Sequence, residues 1–197
     1  EGPTARGEHS MFFDSVRVPA FTLVGGENNG WKAASTHLEL EHGAGGRIGR
    51  HRVWDRLLRY CQETKRDGMP LSQQQDVRDS LADIYIKAEV QRLFGLRNFW
   101  LTYARKPKSY EGPQLSYFRK TTGLWMTGAI LDAVGPAALT TDPAWGSAAG
   151  FLETQQRNGI VSVHPGGTTD IQRVQMARRI GIGRSTREKA GTVHGAE

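Results

Sequence analysis

Apolar side chains along this chain recur with the period of an α-helix over long stretches. After Pro70, a helix is predicted over 72–105, where Val77, Leu81, Ile84 and Ala88 follow at steps of four, three and four. That spacing keeps them on one face, and Ser72 stands where an N-cap is expected. A second helix is predicted over 113–134, with Leu115, Phe118, Trp125, Ala129 and Ala133 on one side. A third is predicted over 28–66, opening at an Asn-rich cap and passing Trp54, Leu57 and Leu58. A loop rich in Gly, Pro and Thr runs from Gly135 to about Gly146, followed by shorter helices predicted over 147–157 and 169–180.

Residues 11–25, MFFDSVRVPAFTLVG, break this pattern. Their β-branched and aromatic content predicts an extended segment or short strand, turning at GGENNG. A lone strand is not stable in water. The chain is therefore expected to be the C-terminal part of something larger, or one partner of a complex. Long amphipathic helices bury their stripes against one another, so the predicted fold is mainly α, an antiparallel four-helix bundle with a short N-terminal β segment. The expected division is an entry segment at 1–27, the bundle at 28–182 and a polar tail at 183–197.

Inside the first helix, LELEHGAGGRIGR places Gly43, Gly45, Gly46 and Gly49 within seven residues. Mid-helix glycines cost about 1 kcal/mol each against alanine, roughly 4 kcal/mol together, which is large beside a domain's whole stability of ~5–15 kcal/mol. Two explanations fit: close packing of another helix, or close approach of a ligand.

The chain is 197 residues long, with 38% hydrophobic and 23% charged residues, so composition argues for a folded domain. A single cysteine, Cys61, rules out disulfides within the chain and a cysteine-rich zinc site, and suits a reducing cytoplasm. No apolar run approaches the ~20 residues of a membrane span, and EGPTARGEHS lacks a signal peptide's apolar core. The net charge of +6 is spread along the chain without zinc-finger or aromatic-basic RNA motifs. Neither a nucleic-acid nor a membrane partner is expected; arginines that hold the phosphates of a small ligand explain the charge equally well. Trp31, Trp54, Trp100 and Trp125 are expected in the core or at interfaces. Arg47 and His51, four apart, have the spacing to grip a phosphate, although solvated pairing explains them too.

The stretch HPGGTTDIQR, 164–173, carries the densest chemistry. Pro165, Gly166 and Gly167 make a turn, and Thr168 or Thr169 can cap a helix entered at Ile171 and Val174. Such a turn can hold an anion on bare N–H groups or serve as an ordinary helix entry.

Several stretches taken in order resemble the acyl-CoA dehydrogenase family. FFDSVRVPAFTLVGGENNGW resembles the end of that family's middle β domain. LELEHGAGG resembles the first long helix of its C-terminal domain, and ETKRDGMPLSQQQDVRDSLADIYI the turn and second helix. GGTTDIQRVQMARRIGIGR resembles the last helix. The resemblance spans most of the chain and is nearest to actinobacterial members that act on steroid side chains or other bulky acyl-CoA thioesters. It implies an FAD-dependent α,β-dehydrogenation, with the chain supplying the helical domain. A desolvated carboxylate suits removal of the weakly acidic Cα proton, and the flavin carries the redox step.

Many relatives place a tyrosine and their catalytic glutamate just before the glycine that opens the last helix. Here those places hold Pro165 and Gly166. Another branch carries its base on the first helix, in a pattern like Leu-acidic-Leu-Glu-Arg. This chain has Leu38-Glu39-Leu40-Glu41-His42. The resemblance thus implies Glu41 as base, Glu39 and His42 beside the substrate, and Gly166 as room for a bulky acyl group. The alternative is a solvated Glu41 paired with His37.

For FAD the resemblance implies Lys65, Arg66, Gly167, Thr168 and Asp170, with Gln172 and Arg173 on the same helix. Relatives read Arg-Lys-x-Phe-Gly at the turn, and their Arg and Phe contact a neighbouring subunit's flavin. This chain has Thr64 and Asp67 there. Such departures accompany heterotetramers with fewer flavins than subunits. The expected partners are an acyl-CoA and acyl-CoA dehydrogenase subunits in a homo- or heterotetramer. The alternative function is a non-catalytic subunit that supports a partner.

Overall fold

The computed structural model describes residues 10–43, 52–145 and 148–183, with the backbone alone at 36, 38–43, 52 and 149. Six α-helices are described: α1 (Gly30–Gly43), α2 (Arg52–Glu63), α3 (Gln75–Tyr103), α4 (Glu111–Val134), α5 (Ala149–Val161) and α6 (Thr169–Arg179). Two short strands, β1 (Lys65–Arg66) and β2 (Met69–Pro70), form a hairpin between α2 and α3. The predicted bundle is present: α4 packs against α3, α5, α6 and, more lightly, α1.

Several boundaries differ from the sequence expectation. The helix predicted over 28–66 is described as α1 and α2; Gly45, Gly46, Gly49, Arg47 and His51 lie outside the described residues. Helix α2 ends at Glu63 because Asp67 and Gly68 adopt left-handed backbone (φ 54° and 80°) at the hairpin tip, the geometry of a tight two-residue turn. Ser72 is not the α3 cap. It sits in a 3-10 turn, Leu71–Gln73, and the helix starts after Gln74 without a side-chain cap. Residues 10–29 form no strand. They are exposed, bend at Asp14–Ser15, make one 3-10 turn at Ala20–Thr22 and turn again before α1, and no strand among the described residues pairs with them.

The core is built from α2 (Val53, Leu57, Tyr60, Cys61), α3 (Val77, Leu81, Ile84) and α4 (Met126, Ala129, Ile130, Ala133), and is closed by Leu152 of α5. The predicted loop after α4 is less irregular than expected. A 3-10 turn, Gly135–Leu139, buries Ala137 and Ala138. Trp125 is not a core residue: it stays 38% exposed, with Lys87 Nζ 4.6 Å above its ring.

Helices α4 and α5 meet closely at Gly159. A Cβ at 159 would overlap Thr127 Cγ2 and lie 3.0 Å from the Gly123 carbonyl. Gly159→Ala gains about 1 kcal/mol of helix propensity, but forcing the helices apart costs about 1–3 kcal/mol. The variant is therefore expected to melt at lower temperature with unchanged helical circular dichroism. An equal or higher midpoint would mean that the contact is not tight.

Burial pushes the Cys61 thiol up to about 11 from its ordinary 9.0, partly offset by the nearby Arg66. Its contribution to stability is full below about pH 9 and is lost as pH rises toward 11, because the folded state holds the proton longer. The native protein at pH 8 is expected to resist thiol reagents and to react promptly once denatured. Equal labelling rates would contradict the burial.

Candidate functional site

The HPGGTTDIQR stretch forms the turn between α5 and α6, and two side chains fix its shape from inside. Lys120, in the middle of α4, is buried, and its ammonium donates to the Ser162 carbonyl at 3.0 Å and to the Pro165 carbonyl. Gln172, buried on α6, donates through Nε2 to the Gly166 carbonyl at 2.9 Å. The Lys120 charge is held by carbonyl oxygens, and burial lowers its pKa from the ordinary lysine value, with Arg119 adding to the effect. Unpaired buried charges are costly, so this lysine ties the turn firmly to α4.

The backbone of the turn is left-handed at both glycines, φ 69° at Gly166 and 82° at Gly167. A Cβ on Gly167 would stand 3.0 Å from Gln172 Nε2 and 3.3 Å from Ile171 Cγ2. The left-handed backbone and these close contacts together favour glycine there. At Gly166 the left-handed backbone disfavours any residue with a side chain. The turn therefore carries no carboxylate, and its conformation does not suit one at 166.

Helix α6 begins as the sequence suggested. Thr168 is the N-cap, its hydroxyl accepting from the Ile171 N–H at 3.3 Å. Asp170 stands exposed in the first turn, 3.7 Å from Arg173, where its charge suits the helix dipole. Arg173 donates through Nε to the Tyr117 hydroxyl at 3.2 Å and lies over that ring, clasping α6 to α4. Thr168 and Asp170 face solvent, Thr168 through its capping bond and Asp170 beside Arg173.

The hairpin residues divide. Lys65 is exposed. Arg66 is turned inward: it donates through Nη2 to the Ala133 carbonyl at 3.2 Å and through Nη1 to Asp76 at 3.4 Å, while Gln74 donates to its own carbonyl. It thereby satisfies a carbonyl in the last turn of α4. Lys120 and Ala133 are thirteen residues apart on α4, or roughly 20 Å along the helix axis. The fold therefore does not gather the expected flavin contacts at one place. It sets Lys65 and Arg66 at one end of α4 and the turn bearing Gly167, Thr168 and Asp170 nearer the other.

Glu39, Glu41 and His42 lie on the backbone of α1, and their side chains are outside the described residues. The described part of α1 approaches α4, the helix that also anchors the turn. His164 is exposed, and no cluster that would hold a metal occurs among the described residues. Nor is any described helix long and apolar enough to cross a membrane. A groove of about 320 Å³, lined by Asp79, Asp83, Trp125, Gly128 and Asp132, opens on the α3 side of α4, whereas the turn lies on its α5 side.

Lys120 was not singled out from the sequence. Its signal was a lysine spaced three and seven residues before Gly123 and Thr127, small residues on the face that meets α5. Lys120→Met leaves two carbonyls without their donor, at about 1–3 kcal/mol for a buried group. The variant is expected to lose hydrogen-exchange protection first at 162–168 while α2 and α3 keep theirs. A uniform loss would place Lys120 in the general core instead.

The arrangement matches known proteins. Residues 28–181 match the model of the acyl-CoA dehydrogenase C-terminal domain. The acyl-CoA dehydrogenase FadE29 of Mycobacterium tuberculosis is 23% identical over 175 residues, 88% of this chain and 44% of the relative. Cyclohexane-1-carbonyl-CoA dehydrogenase of Geobacter metallireducens is 34% identical over 88 residues, 42% of this chain and 22% of the relative. Among solved structures, the Tcur3481-Tcur3483 steroid acyl-CoA dehydrogenase superposes with a TM-score of 0.74 at 26% identity, covering 88% of this chain and 45% of that one. The ChsE4-ChsE5 complex of Mycobacterium tuberculosis gives 0.71 at 24%, covering 89% and 46%, which shows the shared fold. The chain spans less than half the length of these relatives.

Proposed function

The chain belongs to the acyl-CoA dehydrogenase family as its C-terminal helical domain, and from that premise we propose that it forms part of an enzyme that desaturates a bulky acyl-CoA thioester between Cα and Cβ, with Glu41 as the base. The observation that carries this reading is the α5–α6 turn. Its backbone is left-handed at Gly166 and locked by Lys120 and Gln172, and it has no acid to offer. A base must then come from another element. Glu41 lies on α1, which packs against the helix that anchors the turn.

In this role Glu41 takes the proton from the thioester Cα, and desolvation in the closed site raises its basicity. Glu39 and His42 flank the substrate on the same helix. Gly166, lacking a side chain, leaves volume for a large acyl group. FAD supplies the hydride acceptor when bound. The chain's exposed groups suited to holding it are Thr168 and Asp170 at the start of α6 and, at the other end of α4, Lys65. Gly167 shapes the turn beneath them. The chain assembles with acyl-CoA dehydrogenase subunits as a homo- or heterotetramer, in keeping with the two-component names of the steroid-type and ChsE4-ChsE5 neighbours.

One observation favours a second reading, a non-catalytic subunit supporting a partner. Arg66 is committed to α4 and to Asp76, which leaves Lys65 alone at that end for a neighbour's flavin. Visible absorption of the purified chain, with and without a co-expressed partner, separates the two. Flavin colour that bleaches on adding a steroid or other bulky acyl-CoA supports the catalytic reading. Glu41→Gln is then expected to slow the bleaching by about 10²–10⁴-fold, the usual contribution of a general base, without removing the colour. Bleaching unaffected by Glu41→Gln would remove Glu41 from the mechanism. A colourless assembly would favour the supporting role.

A further inference from the structure

The bonds that shape the α5–α6 turn fall on either side of one residue. Lys120 of α4 donates to the Pro165 carbonyl, on the peptide that precedes Gly166. Gln172 of α6 donates to the Gly166 carbonyl at 2.9 Å, on the peptide that follows it. Both donors are buried, at 3% and 2% exposure, whereas Gly166 is exposed. Peptide units are planar and trans, so holding both carbonyls from inside turns the N–H groups of Gly166 and Gly167 away from the two donors. The Gly166 Cα is the hinge between these two held planes. Its left-handed conformation, φ 69°, is therefore set by side chains from two different helices.

Helix capping explains only part of this arrangement. The Lys120 bond to Ser162 satisfies the C-cap residue of α5, a common use of a cation at a helix end. The Pro165 and Gly166 carbonyls belong to neither α5 nor α6, and at an exposed turn water can serve such groups. Burying an ammonium for them costs desolvation. What the two donors add at 165 and 166 is position. Glycine has the widest conformational freedom of any residue, and this one is held in a single conformation. Its neighbours are restricted as well: ring closure sets the φ of Pro165, and Gln172 and Ile171 crowd the Cβ position of Gly167.

We propose that Lys120 and Gln172 are specificity-determining positioning residues, which hold the gap at Gly166 in one place so that a bulky acyl group enters it without re-ordering the turn. The inference rests on the reading above that this turn bounds an acyl-CoA site. A pre-formed gap favours binding because nothing has to be ordered when the ligand arrives. A loose turn weakens Kd by about 5–30-fold for each residue that binding must re-order. A short acyl group does not need the volume at Gly166, so its affinity does not depend on the two donors.

The test compares a steroid acyl-CoA with butyryl-CoA. Kd is measured by calorimetry, without an electron acceptor, on the full chain with its co-expressed partner. Lys120→Met and Gln172→Met remove the donors while nearly conserving volume. Each is expected to raise Kd for the steroid thioester by about 10-fold or more and to leave Kd for butyryl-CoA unchanged. The double variant is expected to add little to either single one, since both donors hold the same glycine. Circular dichroism checks that each variant is folded, and Gln172→Met decides alone where Lys120→Met is not. Val77→Ala is the control for lost stability. It opens the core in the first turn of α3, beside Asp76, which Arg66 links to the far end of α4, and it is expected to move neither constant. An unchanged steroid Kd in the donor variants, an equal rise for both thioesters, the same rise in Val77→Ala, or a wild type that binds no steroid acyl-CoA would overturn the assignment. Bleaching is a separate readout. The expected shifts in Kd without bleaching would remove desaturation and keep the positioning role, and bleaching slowed by Glu41→Gln with unmoved constants would do the reverse.

Discussion

The structure depends on covering one helix, α4, from several sides. Over Glu111–Val134 only Glu111, Arg119, Lys120 and Asp132 are charged, and Glu111 and Lys120 are themselves buried. A helix so poor in exposed charge has to be surrounded. Helix α3 lies along it, α5 crosses it at the glycine contact, and α6 is clasped to it through Tyr117 and Arg173. Its two buried charges are each placed. Glu111 receives Arg97 at 3.2 Å and the Ser109 N–H at 2.8 Å, which fixes the α3–α4 connection. Lys120 fixes the α5–α6 turn. Each buried charge on α4 therefore fixes one connecting loop, Glu111 the α3–α4 connection and Lys120 the α5–α6 turn.

That link joins packing to chemistry. A turn clamped by a buried ammonium and a buried amide is a rigid wall, suited to bounding a substrate site and unsuited to moving a proton. Arg66 does the same at the other end of α4, where its guanidinium satisfies a carbonyl of the helix's last turn and the dipole favours it.

Much apolar surface remains outside this core. Phe12, Phe13, Val18 and Phe21 are exposed in the entry segment, as are Trp31 at the start of α1 and Ile86, Leu93 and Trp100 on α3. These fit a chain that spans under half the length of its relatives. The entry segment has the composition of a strand, but no strand among the described residues pairs with it.

The sequence by itself determined the helices, since a stripe at steps of three and four has only one regular conformation that buries it. It also determined the start of α6, because Thr168 capping Ile171 is a local bond. Ser72 failed as a cap because the backbone after Pro70 first makes a 3-10 turn. Trp125, expected in the core or at an interface, stays 38% exposed with Lys87 over its ring. Only the tertiary structure decided that Arg66 belongs to α4 and that Lys120 holds the α5–α6 turn. Both side chains are charged and both look like surface residues in sequence. Their partners are backbone carbonyls 67, 42 and 45 residues away, and every residue type offers the same carbonyl, so no pattern along the chain marks which one a distant cation will find.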